Sequence, residues 1–314
     1  MSRKRVWRVF VVMLLGASAK AATPVTSPSE DLILPSSMEL ERRVEPWCPG
    51  DCTVGVPFVA SYRKGQYRLI FVGAHHAFRP DSPTMRAVKD GFAQIQPKVV
   101  ILEGFPSAMG ENPAPLVAEA HRYGTPEADD FARGEGMYAA SIALMRSIPF
   151  VGGEPEKETE IQVLEGKGYT DREIAFGSLL GWYSGARRAG DIPDTSLESL
   201  AKIYQQLAAS VRNQNSLEPP SLDEFRRRYR DLYGVDVIGD DRFTSRGDIG
   251  DLTRQGDQAR ASMMMRDRHL LELIEQQLEA RRFVMVVYGG SHWADLSQAL
   301  EKKLGKPHVR TFLN

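Results

Sequence analysis

Four titratable side chains stand just past four apolar runs in this chain. "RLIFVGAHH" ends in His75 and His76, "VVILEGFP" carries Glu103, "PFVGGEP" carries Glu154, and "VMVVYGGSH" ends in His292. Each run is short and continuous, the pattern of a strand buried on both faces. Glycines stand beside every one of these groups: Gly73, Gly104, Gly152 with Gly153, and Gly289 with Gly290. Glycine lets backbone or ligand approach closely. A lone histidine or glutamate after a strand is usually structural, or simply the first polar residue of a loop. The joint pattern points further, because ligands of α/β sheets bind at the carboxyl ends of the strands. If the four strands share a sheet, the four side chains converge.

A fifth group belongs with them. "DQARASMMMRDRHLLELIEQQLEARR" reads as a helix whose apolar stripe is Met263, Met264, Leu270, Leu271, Ile274 and Leu278. Arg266 and Asp267 fall on that stripe, while Arg268, Glu272 and Gln276 fall on the wetter side. A charge on a buried face needs a partner. Arg266 is expected to pair with Glu103, Glu154 or Asp267, or to grip a substrate anion in its fork of donors.

Two chemistries fit two histidines with a carboxylate. His76, His292 and Glu103 could hold a divalent ion (manganese, cobalt or zinc), leaving a position for an activated water. Alternatively, a neutral histidine near a helix N-terminus acts as general base without metal, oriented by Glu103 or Glu154. Ser291 lies in "GGSHW", which lacks the spacing of a nucleophile elbow, so no serine nucleophile is expected there.

The elements that must position these groups follow from the pattern. "VPFVASYRKGQYRLIFVG" reads as a hairpin turning at Lys64 and Gly65. "SPTMRAVKDGFAQIQ" and "EADDFARGEGMYAASIALMRSI" read as helices, alternating with the strands at Glu103 and Glu154. From Glu156 to about Gln255 helical segments dominate, with Ser or Asp near their starts and one possible strand at "VDVIG". The helix of Arg266 then leads to the strand "FVMVVYGG", a helix "ADLSQALEKKLG" and a last strand "PHVRTFLN". The expectation is an α/β fold over 54–314: a mixed, partly parallel central sheet flanked by helices, with a helical insertion at about 156–255.

The 314 residues suffice for one large domain or two small ones. A net charge of −1 with no dominant basic stripe gives no hint of nucleic acid, and no nucleic-acid partner is expected. "MSRKRVWR" followed by the apolar "VFVVMLLGASA" is expected to be a signal peptide over 1–22, with Ala-Ser-Ala or Ala-Lys-Ala as its cleavage site. The run is about eleven residues, against about 20 for a spanning helix. After cleavage the chain is expected to be periplasmic or secreted and free of the membrane. A flexible leader over 23–53 holds Cys48 and Cys52 in the turn "CPGDC", which in an oxidising compartment is expected to close as a local disulfide. The expected partner is a peptide or small-molecule substrate, and no oligomeric state is implied.

This constellation resembles the TraB/GumN/Tiki superfamily, whose fold is shared by erythromycin-esterase-like and ChaN-like proteins. Gly73-Ala74-His75-His76 and Gly289-Gly290-Ser291-His292 match its two Gly-x-x-His motifs. "VILEG" at Glu103, "VGGEPEKE" at Glu154 and "MMMRDRHLLELI" at Arg266 and Asp267 match the segments between them. The resemblance spans roughly Arg68 to Asn314, and the motif spacing selects His76 over His75. Met265 stands where an acidic residue often precedes the arginine. The resemblance implies an exported hydrolase: a metal-dependent peptidase on the Tiki side, or a metal-free histidine-base esterase. On the ChaN side it implies a haem-binding protein. A chain that binds haem or another ligand without turnover is expected to use the same two histidines, with Tyr288 and Trp293 as stacking or ligating aromatics.

Overall fold

The computed structural model describes residues 56–125, 134–188, 196–240, 242–243, 246–247 and 251–312. The expected signal peptide, the leader and the Cys48/Cys52 turn lie outside the described residues. The chain divides into two compact units. One is Lys157–Met263; the other is built from the segments on either side of it.

The second unit is an α/β sandwich. β1 (Phe58–Lys64) and β2 (Tyr67–Ala74) form the expected hairpin, with Gly65 in the left-handed region (φ +55°) at its turn. α1 (Pro83–Gln94) follows, then β3 (Val99–Pro106), α2 (Ala114–Arg122), α3 (Glu135–Met145) and β4 (Phe150–Glu154). Its closing segment contains β5 (Phe283–Gly289), α9 (Gly290–Leu304) and β6 (His308–Thr311). The sheet is mixed, in the order β4-β3-β5-β2-β1-β6. Strands β4, β3, β5 and β2 run parallel, whereas β1 pairs antiparallel with both β2 and β6. The carboxyl ends of the four parallel strands therefore share one edge of the sheet.

Alternation along the strands buries both faces. Leu69, Phe71, Val99, Ile101, Val284 and Val286 pack against α9 and against Leu270, Leu271, Ile274 and Leu278 of the long helix α8 (Arg254–Arg281). Ile70, Val72, Val100, Leu102, Met285 and Val287 pack against α1 and α3. Each fully buried Val, Leu or Ile contributes about 1.5–3 kcal/mol relative to exposure, which is why these runs contain no polar residue until the sheet edge. Glu103 continues the alternation of Val99 and Ile101, and so it emerges on the side of α8 and α9.

The other unit is helical: α4 (Lys157–Gly166), α5 (Asp171–Arg188), α6 (Leu197–Asn215), α7 (Leu222–Tyr233) and the first part of α8. Ile174, Phe176, Leu180, Leu200, Val211, Phe225 and Tyr229 form its core. Ser196 and Ser221 cap α6 and α7 by accepting from the backbone N–H groups of Ser199 and Glu224. "VDVIG" is not a strand. The Asp236 carboxylate accepts from the Ile238 N–H at 3.0 Å and binds Arg226 and Arg230, so this stretch turns instead of extending. Among the described residues no helix is long and apolar enough to cross a membrane.

Candidate functional site

The helix after β5 begins at Gly290, four residues earlier than the sequence suggests, so His292 lies in the first turn of α9. The Glu103 carboxylate reaches this helix start and accepts the Gly289 N–H at 2.6 Å. A helix N-terminus exposes N–H groups and favours an anion, which accounts for a carboxylate at this strand end.

His292 is buried, only 4% exposed. Its Nδ1 lies 2.5 Å from Oδ1 of Asp267 on α8, itself 1% exposed. Its Nε2 faces Oε1 of Glu103 at 3.5 Å. The ring stands edge-on to Tyr288, with centroids 5.1 Å apart. The sequence alone suggests that the helix dipole keeps this imidazole neutral, and the structure reverses that. Burial and the dipole both disfavour the charged ring, but the hydrogen bonds and charges of Asp267 and Glu103 outweigh them. His292 is held up at about 10 and is an imidazolium at neutral pH. Glu103 responds in kind. Burial would raise it, but His292, His76 and Arg266 bring it down to about 2.

Arg266 and Glu154 form the second element of the site. Nε and Nη2 of Arg266 each lie 2.7 Å from a Glu154 oxygen, a two-pronged fork. Arg266 Nη2 also reaches Glu103 at 3.5 Å, so Glu154 is its principal partner among those the sequence left open. Tyr288 Oη donates to Glu154 at 3.1 Å and the Gly104 N–H donates at 3.3 Å. Burial alone would raise the Glu154 carboxyl, yet Arg266 holds it below the usual range. Gly153 makes room for this arrangement: a Cβ there would stand 2.6 Å from Tyr288 Oη.

His76 is the solvent-facing member, with a side chain 66% exposed. Its Nδ1 lies 2.6 Å from Oε1 of Glu135, in the first turn of α3, whose other oxygen accepts the Ala77 N–H at 3.1 Å. The bond to Glu135 raises His76 to about 9, and the charges of Glu103 and His292 are felt there too. His75 is turned to another task, its carbonyl accepting from the buried Thr84 hydroxyl at 2.6 Å. Glu135 is absent from the residues that sequence singled out, because "RGEGMY" places it at a helix start rather than after a strand.

Glu103 and His292 thus face each other, their charges are felt at His76, and Arg266 with Glu154 adjoins them through Glu103. Among the described residues, no three His, Cys, Asp or Glu side chains form a group that could hold a metal ion. His76, His292 and Glu103 do not make a ready-made metal set as they stand. The aromatics expected beside a haem are engaged within the protein. Trp293 donates to Tyr62 Oη at 2.9 Å and packs edge-on against Phe58, while Tyr288 is buried under Glu154.

The arrangement can exchange protons at two imidazoles, each with Nδ1 pinned by a carboxylate, and at His292 the Nε2 faces Glu103. The 3.5 Å gap between His292 and Glu103 is too long for a strong hydrogen bond, so this N–H can donate to a bound oxygen. Comparison with known proteins adds no relative: no family model, no curated protein and no solved structure matches the chain.

Proposed function

We propose that this protein is an exported, metal-free hydrolase of carbonyl substrates, esters or lactones before peptides, working by paired-histidine acid–base catalysis. One observation carries the reading: His76 and His292 are both oriented through Nδ1 by a carboxylate, and a third carboxylate, Glu103, faces His292 and acts on His76 through its charge. The basic and apolar N-terminus and the resemblance to the esterase-like branch of the TraB/GumN/Tiki fold support it.

In this reading neutral His76 takes a proton from water through Nε2, and Glu135 stabilises the imidazolium that forms. The hydroxide attacks the carbonyl carbon. The His292 N–H donates to the departing oxygen and releases its proton as the C–O bond breaks. Transfer of one proton from His76 to His292 by way of solvent restores the starting state. Glu103 steadies both charged rings, and the Arg266–Glu154 fork fixes the floor of the site. With His76 at about 9, the base form is on the order of 1% of the protein at pH 7, so the chemistry favours alkaline conditions.

The test is a hydrolysis screen of the chain from residue 23 onward on aryl esters, lactones and peptides, beside His76→Ala and His292→Ala. Turnover lost in both folded variants supports the reading. Wild-type turnover in both overturns it. So does a stoichiometric divalent ion by elemental mass spectrometry that both variants lose, because the histidines would then be ligands.

A further inference from the structure

Beyond the histidines at the strand ends, another histidine meets a hydroxyl. The Ser107 Oγ lies 2.9 Å from Nε2 of His269. Ser107 opens the 3-10 turn Ser107–Met109 directly after β3, and its carbonyl accepts the Gly110 N–H at 3.0 Å, which closes the turn. His269 stands three residues after Arg266 on α8, so the two share one helix face. Both members are half-buried: sheltered, yet open to solvent on one side.

We infer that Ser107 and His269 form a nucleophile–base pair that accepts an acyl group from small activated carboxylic esters, separate from the water-based chemistry proposed for His76 and His292. The pair has the geometry of an activated serine, with the hydroxyl within hydrogen-bond reach of the ring nitrogen that must take its proton. Burial holds His269 below the usual histidine range, so the ring is neutral at pH 7 and able to accept. The charges of Glu272 and Glu154 act in the opposite sense and favour the imidazolium once the proton has moved. In the step itself, Oγ bonds to the carbonyl carbon and its proton passes to Nε2 of His269. The ester C–O bond then breaks, and the leaving alkoxide takes that proton. Water releases the acyl group from Ser107 by the same route in reverse.

A fluorophosphonate probe tests this without a known substrate. Its phosphorus is captured by Oγ with loss of fluoride, and the adduct is located by intact mass and peptide mapping. The expected result is one adduct, on Ser107. Ser107→Ala should abolish it, and His269→Gln should slow it roughly 10²-fold or more, with circular dichroism confirming that both variants fold. Labelling should persist in His76→Ala, so that failure of the first site and failure of this one are told apart. Absence of an adduct on Ser107 overturns the inference. An adduct that forms equally fast in His269→Gln also overturns it, since Ser107 would then react as an unassisted surface hydroxyl.

Discussion

The His292 imidazole and the Asp267 carboxylate meet at 2.5 Å in a part of the molecule where both are almost wholly buried. A buried ion pair is costly to assemble, and removing one partner costs about 3–5 kcal/mol because it strands the other charge. Substituting Asp267→Asn keeps the shape and removes the charge. We expect the His292 ring to titrate at least one pH unit lower, read by NMR, and hydrolysis to fall roughly 10²-fold or more. An unchanged titration would show that Glu103 alone sets the charge of His292.

The pH–rate profile follows from the two imidazoles. His76 must be neutral to act as base, and His292 must be protonated to act as acid. With values near 9 and 10, kcat/KM should rise up to about pH 9 and fall beyond about pH 10. Because the two rings interact, these limbs belong to the pair. Removing the Glu135 charge with Glu135→Gln should move the acidic limb to lower pH, since that bond is the chief reason His76 is raised. A limb that stays put would assign it to another group.

Stability should depend on pH with a definite sign. His292 is raised from its ordinary 6.5 to about 10. Its contribution is therefore complete below about 6.5 and is lost as pH climbs to 10. Glu103 is depressed from 4.5 to about 2, so its contribution is complete above 4.5 and disappears as pH falls to 2. Between pH 7 and 10 the urea midpoint of the wild type should fall more steeply than that of His292→Gln. Parallel slopes would contradict this. His76 adds little, since solvent screens its exposed ring.

The Arg266–Glu154 fork should behave as a unit. Arg266→Met or Glu154→Gln alone leaves a partly buried charged group without its match and should cost about 1–3 kcal/mol. The double variant should cost less than the sum of the two. Denaturant melts of all four proteins measure the coupling, and additive losses would show the two residues to be independent.

Gly153→Ala should destabilise the fold by about 1–3 kcal/mol, because the new methyl would collide with the Tyr288 ring and hydroxyl. Activity per folded molecule should also drop, since Tyr288 bonds to Glu154. A neutral melt would mean that Tyr288 can shift without loss.

Local pattern determined the α/β class, the hairpin at Gly65, the strands "VVILEG" and "FVMVVYG" and the capped helices, because apolar period and turn chemistry act over a few residues. The same pattern put Asp267 on the apolar stripe of α8, where it is buried. It also overread "VDVIG", where an aspartate side chain competes for the backbone, and passed over α2 altogether. Tertiary structure alone decided who meets whom. Glu135 reaches His76 across 59 positions, Glu154 reaches Arg266 across 112, and Ser107 reaches His269 across 162. It also decided the charge of His292. A helix start read in isolation favours a neutral ring, whereas two carboxylates brought in from α8 and β3 override that preference. Such partners are chosen by the order of strands in the sheet and by the path of α8 beside it, and neither is written in the residues that surround each histidine.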